Sequence, residues 1–190
     1  ALMIYQKEWD CENWSKRLFC FPLDLSYKAV ETLQESINDL INKISYTVFS
    51  NKTPMVIDGL IIVAAQTIRG IEKVVPKDPN DFNRYRDSKH FPSDQPNSWN
   101  LTIPKVSCEE MQEVINTNTV APFFITQSFL PYLQRSNYPR RCIVNCHARE
   151  GRFKVSNKSE FHPHTNIAKA GLHMLTMMIN RHNSSDPDLH

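Results

Sequence analysis

The stretch from Cys142 to Ile179 carries Cys142, Cys146, Thr165 and Lys169, and the polar loop within it holds three of the seven histidines, His147, His162 and His164. An imidazole titrates near neutrality and can pass a proton or ligate a metal. A lysine ammonium can lower the pKa of a neighbouring acid. A metal is not expected from this set. Cys142 and Cys146 are four apart on an extended run, about 13 Å between them, and Cys146 and His147 would point to opposite faces. There is no C-x-x-C or H-x-x-x-H pair, and Pro163 between two histidines favours a turn over a ligand pair.

The elements that must position these groups can be read from the pattern. The apolar run 140–145 suits a buried strand, the polar stretch after Asn145 a loop, and residues 165–180 a helix with Leu172, Leu175, Thr176 and Ile179 facing inward. In an open α/β sheet, ligands sit at the carboxyl ends of the strands, so the loop after Asn145 is the place to look for a site. Upstream, the run 18–23 stops at Asp24, and Val30, Leu33, Ile37, Leu40, Ile41 and Ile44 then recur at helical spacing. Residues 55–65 have the continuous apolar character of a parallel strand covered on both faces. Residues 66–105 show no sustained period and read as a long functional loop or insertion. Ser107 followed by Glu110 is a capping-box pattern that opens a helix reaching Leu133. Pro122 must bend that helix or be accommodated in it, and its apolar residues occupy more than one side. The tail 180–190 is polar and expected to be loose.

Strands alternating with helices imply a parallel sheet with right-handed crossovers, a three-layer α/β domain spanning residues 1–190. A hydrophobic fraction of 41% and a net charge of +2 with scattered basic residues exclude a nucleic-acid footprint, and no run is long enough to span a membrane. Five cysteines, an odd number with no framework spacing, read as reduced thiols in an intracellular protein of the cytoplasm or an organellar matrix. With only four glycines, neither G-x-G-x-x-G nor a Walker loop can be written anywhere.

The order of these pieces resembles the short-chain dehydrogenase/reductase family over residues 18–180. HPHTNIAKAGLHM at 162–174 resembles the HPHTNxAKAxLNM motif of divergent members. NTVAPFFITQSFLPYL at 118–133 is similar to the family's N-x-x-A-P-F helix, CIVNCHAREG to its strand ending in S-S-x-x-G, and DGLIIVAAQT at 58–67 to the strand ending in N-N-A-G. The resemblance implies a Rossmann-like fold, truncated at both ends, and hydride transfer between NAD(P) and a carbonyl or alcohol. It places Lys169 and Asn118 at catalytic positions, and Asp24, Ala64 and Lys169 at cofactor-binding ones. It also implies a homodimer, or a place in a larger complex, through helices 107–133 and 165–180. Two positions depart from the pattern. The family's serine falls on Ala148, or on His147 if the register moves by one, and its tyrosine falls on Thr165.

An aliphatic hydroxyl is a far weaker acid than a phenol, whose pKa starts near 10, so Thr165 cannot run the family's proton transfer. His164, one residue earlier, could supply the proton if turned toward the cofactor. Three functions follow: a degenerate oxidoreductase-like protein, a noncatalytic interaction subunit that keeps the fold for its helix faces, and an active reductase using His164.

Overall fold

A computed structural model of the chain describes residues 21–25, 32–49, 54–64, 98–156, 158–184, 186, 188 and 189. Helix α1 (Leu33–Phe49) follows its sequence pattern, with Leu33, Ile37 and Ile41 buried at successive turns and the polar side exposed. These residues pack with Met55, Ala121 and Phe129 in one apolar core, and Leu40, Ile44, Leu60, Phe124, Ile125 and Tyr132 close its margin. Burying a side chain of this size stabilises the fold by about 1.5–3 kcal/mol.

Strand β1 (Gly59–Ile62) pairs in parallel with β2 (Cys142–Asn145), Gly59 opposite Cys142 and Ile62 opposite Asn145. The pairing continues through Cys146 N–H, which donates to Ile62 O at 2.9 Å. The carboxyl ends of both strands therefore emerge side by side. Among the described residues these are the only two sheet strands, and residues 21–25 are irregular. Any strand over 18–20 lies outside the described residues, as do Val30 and residues 65–97.

Coverage of residues 55–65 on both faces is not what the structure has. Leu60 and Ile62 turn toward the helices, whereas Ile61 and Val63 are 69% and 65% exposed, and Val144, directly opposite Ile61, is exposed beside them. The described helices that pack on this sheet leave its second face open.

The long helix expected from Ser107 onward is three pieces: α2 (Cys108–Ile115), a π-helical turn (Asn116–Val120) and α3 (Ala121–Gln134). Ser107 caps it as expected, its hydroxyl accepting from Glu110 N–H at 3.1 Å. The widened turn ends with Ala121 N–H donating to Asn116 O, and Pro122, which has no N–H to give, follows at once in the first turn of α3. Placed there, the proline costs α3 little. Pro131 sits further inside α3, which runs on to Gln134.

Helix α4 spans Pro163–His182, longer at both ends than its pattern indicates. It buries His164, Thr165, Ala168, Lys169 and Leu172, while Leu175, Thr176 and Ile179 are only half-buried.

The tail is docked, not loose. Arg141 Nη2 pairs with Asp186 Oδ1 at 2.7 Å, Arg141 N–H donates to Asp188 O at 2.8 Å, and Leu189 forms a parallel bridge with Arg141 and is 5% exposed. A buried guanidinium with acidic residues at the right distance along the chain supplies the anchor that polarity alone does not reveal. No helix among the described residues is long and apolar enough to cross a membrane.

Candidate functional site at the head of the last helix

Parallel strands ending together at Ile62 and Asn145 place Ala64 and the loop 146–151 on the same rim of the sheet, and the head of α4 stands against that rim. Lys169 is 3% exposed, and its Nζ donates to Cys146 O at 3.0 Å, tying α4 to the exit of β2. Burial pushes its pKa down, and the neighbouring Cys146 pushes it partly back. The loop presses on the same lysine from the other side. Gly151, in the 3-10 turn Arg149–Gly151, lies so close that a Cβ there would stand 2.6 Å from the Lys169 carbonyl carbon. The glycine of this loop is thus required by close approach.

The π-helical turn is the hub joining the other candidate positions. Thr117 Oγ1 donates to Leu25 O at 3.2 Å, which brings the segment carrying the exposed Asp24 against it. Asn118 is fully buried, and its Nδ2 donates to Val114 O at 2.9 Å. Thr119 Oγ1 donates to Ala168 O at 2.7 Å, and its methyl group fills the space over Gly171, where a Cβ would come within 2.9 Å of Thr119 Cγ2. Asn118 and Lys169 therefore lie on directly packed elements. Ala64 is half-buried, and the only placement the structure gives it is on the rim.

Thr165 and His164 both face inward. Thr165 is 2% exposed, and its hydroxyl has no hydrogen-bond partner among the described residues. His164 is fully buried, with Nε2 3.4 Å from Glu110 Oε1 on α2. Burial lowers its pKa, Glu110 partly restores it, and His162 lowers it further. Ala148, one of the two residues on which the resemblance would place a serine, supplies no hydroxyl.

His147 belongs to a different place. Its ring stacks on His173 at 3.9 Å between centroids, and its Nε2 lies 3.1 Å from Thr176 Oγ1, which also accepts from Asn145 Nδ2 at 3.0 Å. Its pKa is lowered by burial first, then by His173, Lys169 and Arg152. A cavity of about 380 Å³ opens beside it between β2 and α4, walled by Ile143, Met177, Asn180 and Leu189 among others. No group of three metal-ligating side chains occurs among the described residues.

Thr117, Thr119, Gly171, Glu110 and Ser98 were not singled out by the chemistry of their residue types. The run N-T-N-T inside an otherwise apolar helix was a usable signal, because Asn and Thr are poor in helix interiors and compete for backbone hydrogen bonds.

No protein-family model matches the chain. A curated relative is an uncharacterized protein of Acanthamoeba polyphaga mimivirus, 29% identical over 219 residues covering 99% of this chain and 44% of that protein. This chain thus spans less than half the length of that relative. Among solved structures, a Burkholderia multivorans protein described as a short-chain dehydrogenase/reductase, with bound NADP, superposes with a TM-score of 0.60 at 18% identity, covering 94% of this chain and 56% of that one. The fold is that of the short-chain dehydrogenase/reductases. A short chain dehydrogenase of Shigella flexneri complexed with NADP (TM-score 0.57, 16% identity, 90% of this chain and 51% of that one) has the same fold. So has a 3-oxoacyl-[acyl-carrier protein] reductase of Brucella melitensis (TM-score 0.53, 15% identity, 87% and 50%).

Proposed function

We propose that this chain belongs to a short-chain dehydrogenase/reductase-like protein, oxidoreductase in descent, whose proton-transfer machinery is dismantled. The observation that carries this reading is the pairing of a buried Thr165 with a Lys169 whose ammonium is committed to the Cys146 carbonyl. No group of phenol-like acidity stands one turn before the lysine, so there is nothing for the ammonium to tune. In this reading Lys169 and Asn118 are positions that the fold keeps for packing, and His164 is the partner of Glu110 and not a proton donor.

Two of the solved neighbours hold NADP, which makes NAD(P) the cofactor to test. In this reading the chain as given supplies only part of a dinucleotide site. Asp24 and Ala64 offer edges for one, but with four glycines in all there is no phosphate cradle. The test is a calorimetric titration with NADH and NADPH, followed by an assay of NADPH oxidation against aldehydes, ketones and quinones. No turnover is expected. Turnover that disappears in Lys169→Met or Thr165→Val would overturn the reading.

A second reading, a noncatalytic interaction subunit, is favoured by the helix surfaces. Residues 116–134 and 170–180 contain no Asp, Glu, Lys or Arg, yet Phe123, Ile167, Met174, Met177 and Met178 are 45–56% exposed. Charge-depleted, methionine-rich helix faces suit a protein partner, a second copy included. Under this reading Met174→Glu with Met178→Glu converts an oligomer to a monomer in sedimentation analysis. A monomeric parent at high concentration counts against self-association.

A further inference from the structure

A buried polar chain links three segments that neither reading above uses. Ser98, 1% exposed, donates its hydroxyl to Glu110 Oε1, and the same oxygen lies 3.4 Å from Nε2 of the fully buried His164. Two further bonds join the same segments: His162 N–H donates to Leu101 O at 2.8 Å, and His162 Nδ1 lies 3.3 Å from Trp99 O, with the Trp99 ring edge-on to the imidazole. His162 holds a left-handed backbone at φ 44°, immediately before Pro163. A non-glycine residue keeps that conformation only where its surroundings impose it. The 98–101 turn is therefore clasped onto the heads of α2 and α4 together.

We propose that Ser98, Glu110 and His164 form a proton-operated latch, which fastens the 98–101 turn to the two helix heads at neutral pH and releases it in mild acid. The argument rests on donor and acceptor numbers. A neutral imidazole has one N–H, and a protonated one has two. The Glu110 carboxylate lies 3.4 Å from Nε2 of His164, and neither ring nitrogen has a hydrogen-bond partner among the described residues. The second N–H of the protonated ring would be buried without an acceptor, a costly state. The groups that act on His164 electrostatically are Glu110 from α2 and His162 at the head of its own helix, and the 98–101 turn adds no titratable side chain. The depressed pKa of His164 agrees in direction. A histidine whose folded pKa lies below its unfolded value contributes stability above the unfolded value, and loses it as the pH falls through the folded one.

The test is hydrogen exchange of the intact protein, followed by mass spectrometry from about pH 7.5 to about pH 5, a range that brackets ordinary imidazole titration, with rates corrected for intrinsic chemistry. Peptides covering 98–106 and 160–166 should lose protection as the pH falls from the open-state to the folded-state pKa of His164, by up to about tenfold per pH unit, the slope of one linked proton, and level off below the folded value, while peptides of α1 and α3 stay constant. In His164→Gln the slope should vanish. A flat wild-type profile at 98–106, or an unchanged slope in His164→Gln, overturns the latch. Should His164→Gln not fold, Ser98→Ala serves: protection at 98–106 should fall at neutral pH while the midpoint of its acid loss persists. Loss of that midpoint in Ser98→Ala also overturns the proposal.

Discussion

The two halves of this molecule bury different things. Between α1 and α3 an apolar cluster of Leu33, Ile37, Ile41, Met55, Ala121 and Phe129 dominates, and Thr126 is the buried polar residue of α3. Between α2, the π-helical turn and α4, apolar Val114, Ala168 and Leu172 share the interior with Glu110, Asn118, His164, Thr165 and Lys169, each 8% exposed or less. The first half is held by area removed from water and tolerates a change of pH. The second depends on which polar atoms find partners, so its stability is conditional on protonation. Buried ionisable groups in a cleft are commonly read as a sign of catalysis. Here the contacts they make are with each other and with backbone, and they order loops.

The comparison can be broken or sharpened by substitution. The largest effect belongs to the apolar half: Phe129→Ala should destabilise by about 3–5 kcal/mol, equally at neutral and mildly acidic pH, as measured by urea unfolding. If the loss depends strongly on pH, the two halves are not separable. Next is Gly151→Ala, where the new Cβ meets the Lys169 backbone and not a side chain that could swing away. About 1–3 kcal/mol should be lost, with increased exchange of loop 146–151. Thr165→Tyr, which introduces the side chain that the sequence resemblance implies at this position, should cost a similar amount by overpacking a site that is 2% exposed, and should not produce a reductase.

Gly171→Ala is smaller still. Alanine is favoured in a helix by about 1 kcal/mol, but its Cβ meets Thr119 Cγ2, whose Oγ1 is fixed on Ala168 O. The net should be mildly destabilising and should reverse when Thr119→Ser removes the methyl and keeps the hydroxyl. Lys169→Met should be the mildest: trading a desolvated ammonium for a thioether of similar length is often neutral or stabilising. Because the folded pKa of Lys169 is depressed, the wild type should gain stability as alkaline pH removes its charge, and the Met variant should lack that gain. Acid should act the other way, since His147 and His164 both have lowered pKa values and must charge as the fold opens.

The apolar half was legible in the sequence because Leu33, Ile37 and Ile41 repeat at the helical period, and a repeated signal survives single exceptions. The start of α2 was legible too, since Ser107 caps through a local bond. What could not be read is where the polar side chains go. Glu110 looks like the acidic half of a capping box, but its carboxylate is turned to Ser98 and His164. His164 could supply a proton if turned toward a cofactor, and the structure sets its Nε2 3.4 Å from Glu110 on α2, a placement no local pattern encodes. The docking of the tail depends on Arg141 meeting Asp186, a contact 45 residues apart that no local pattern encodes. The position of Lys169 in the motif was legible, while its pairing with a carbonyl was not.

The π-helical turn also sets the phase of everything after it. One residue of an α-helix is worth roughly 100° of rotation and about 1.5 Å of advance, so a single surplus residue within Asn116–Val120 re-aims all of α3 relative to α2. This is why Glu110 and Val114 can address α4 while Ala121 and Phe129 address α1. Deleting one codon between Thr117 and Thr119 would leave the composition of the helix almost untouched. It would nonetheless swing Phe129 away from Leu33 and Ile37, making this short segment far less tolerant of length change than of substitution.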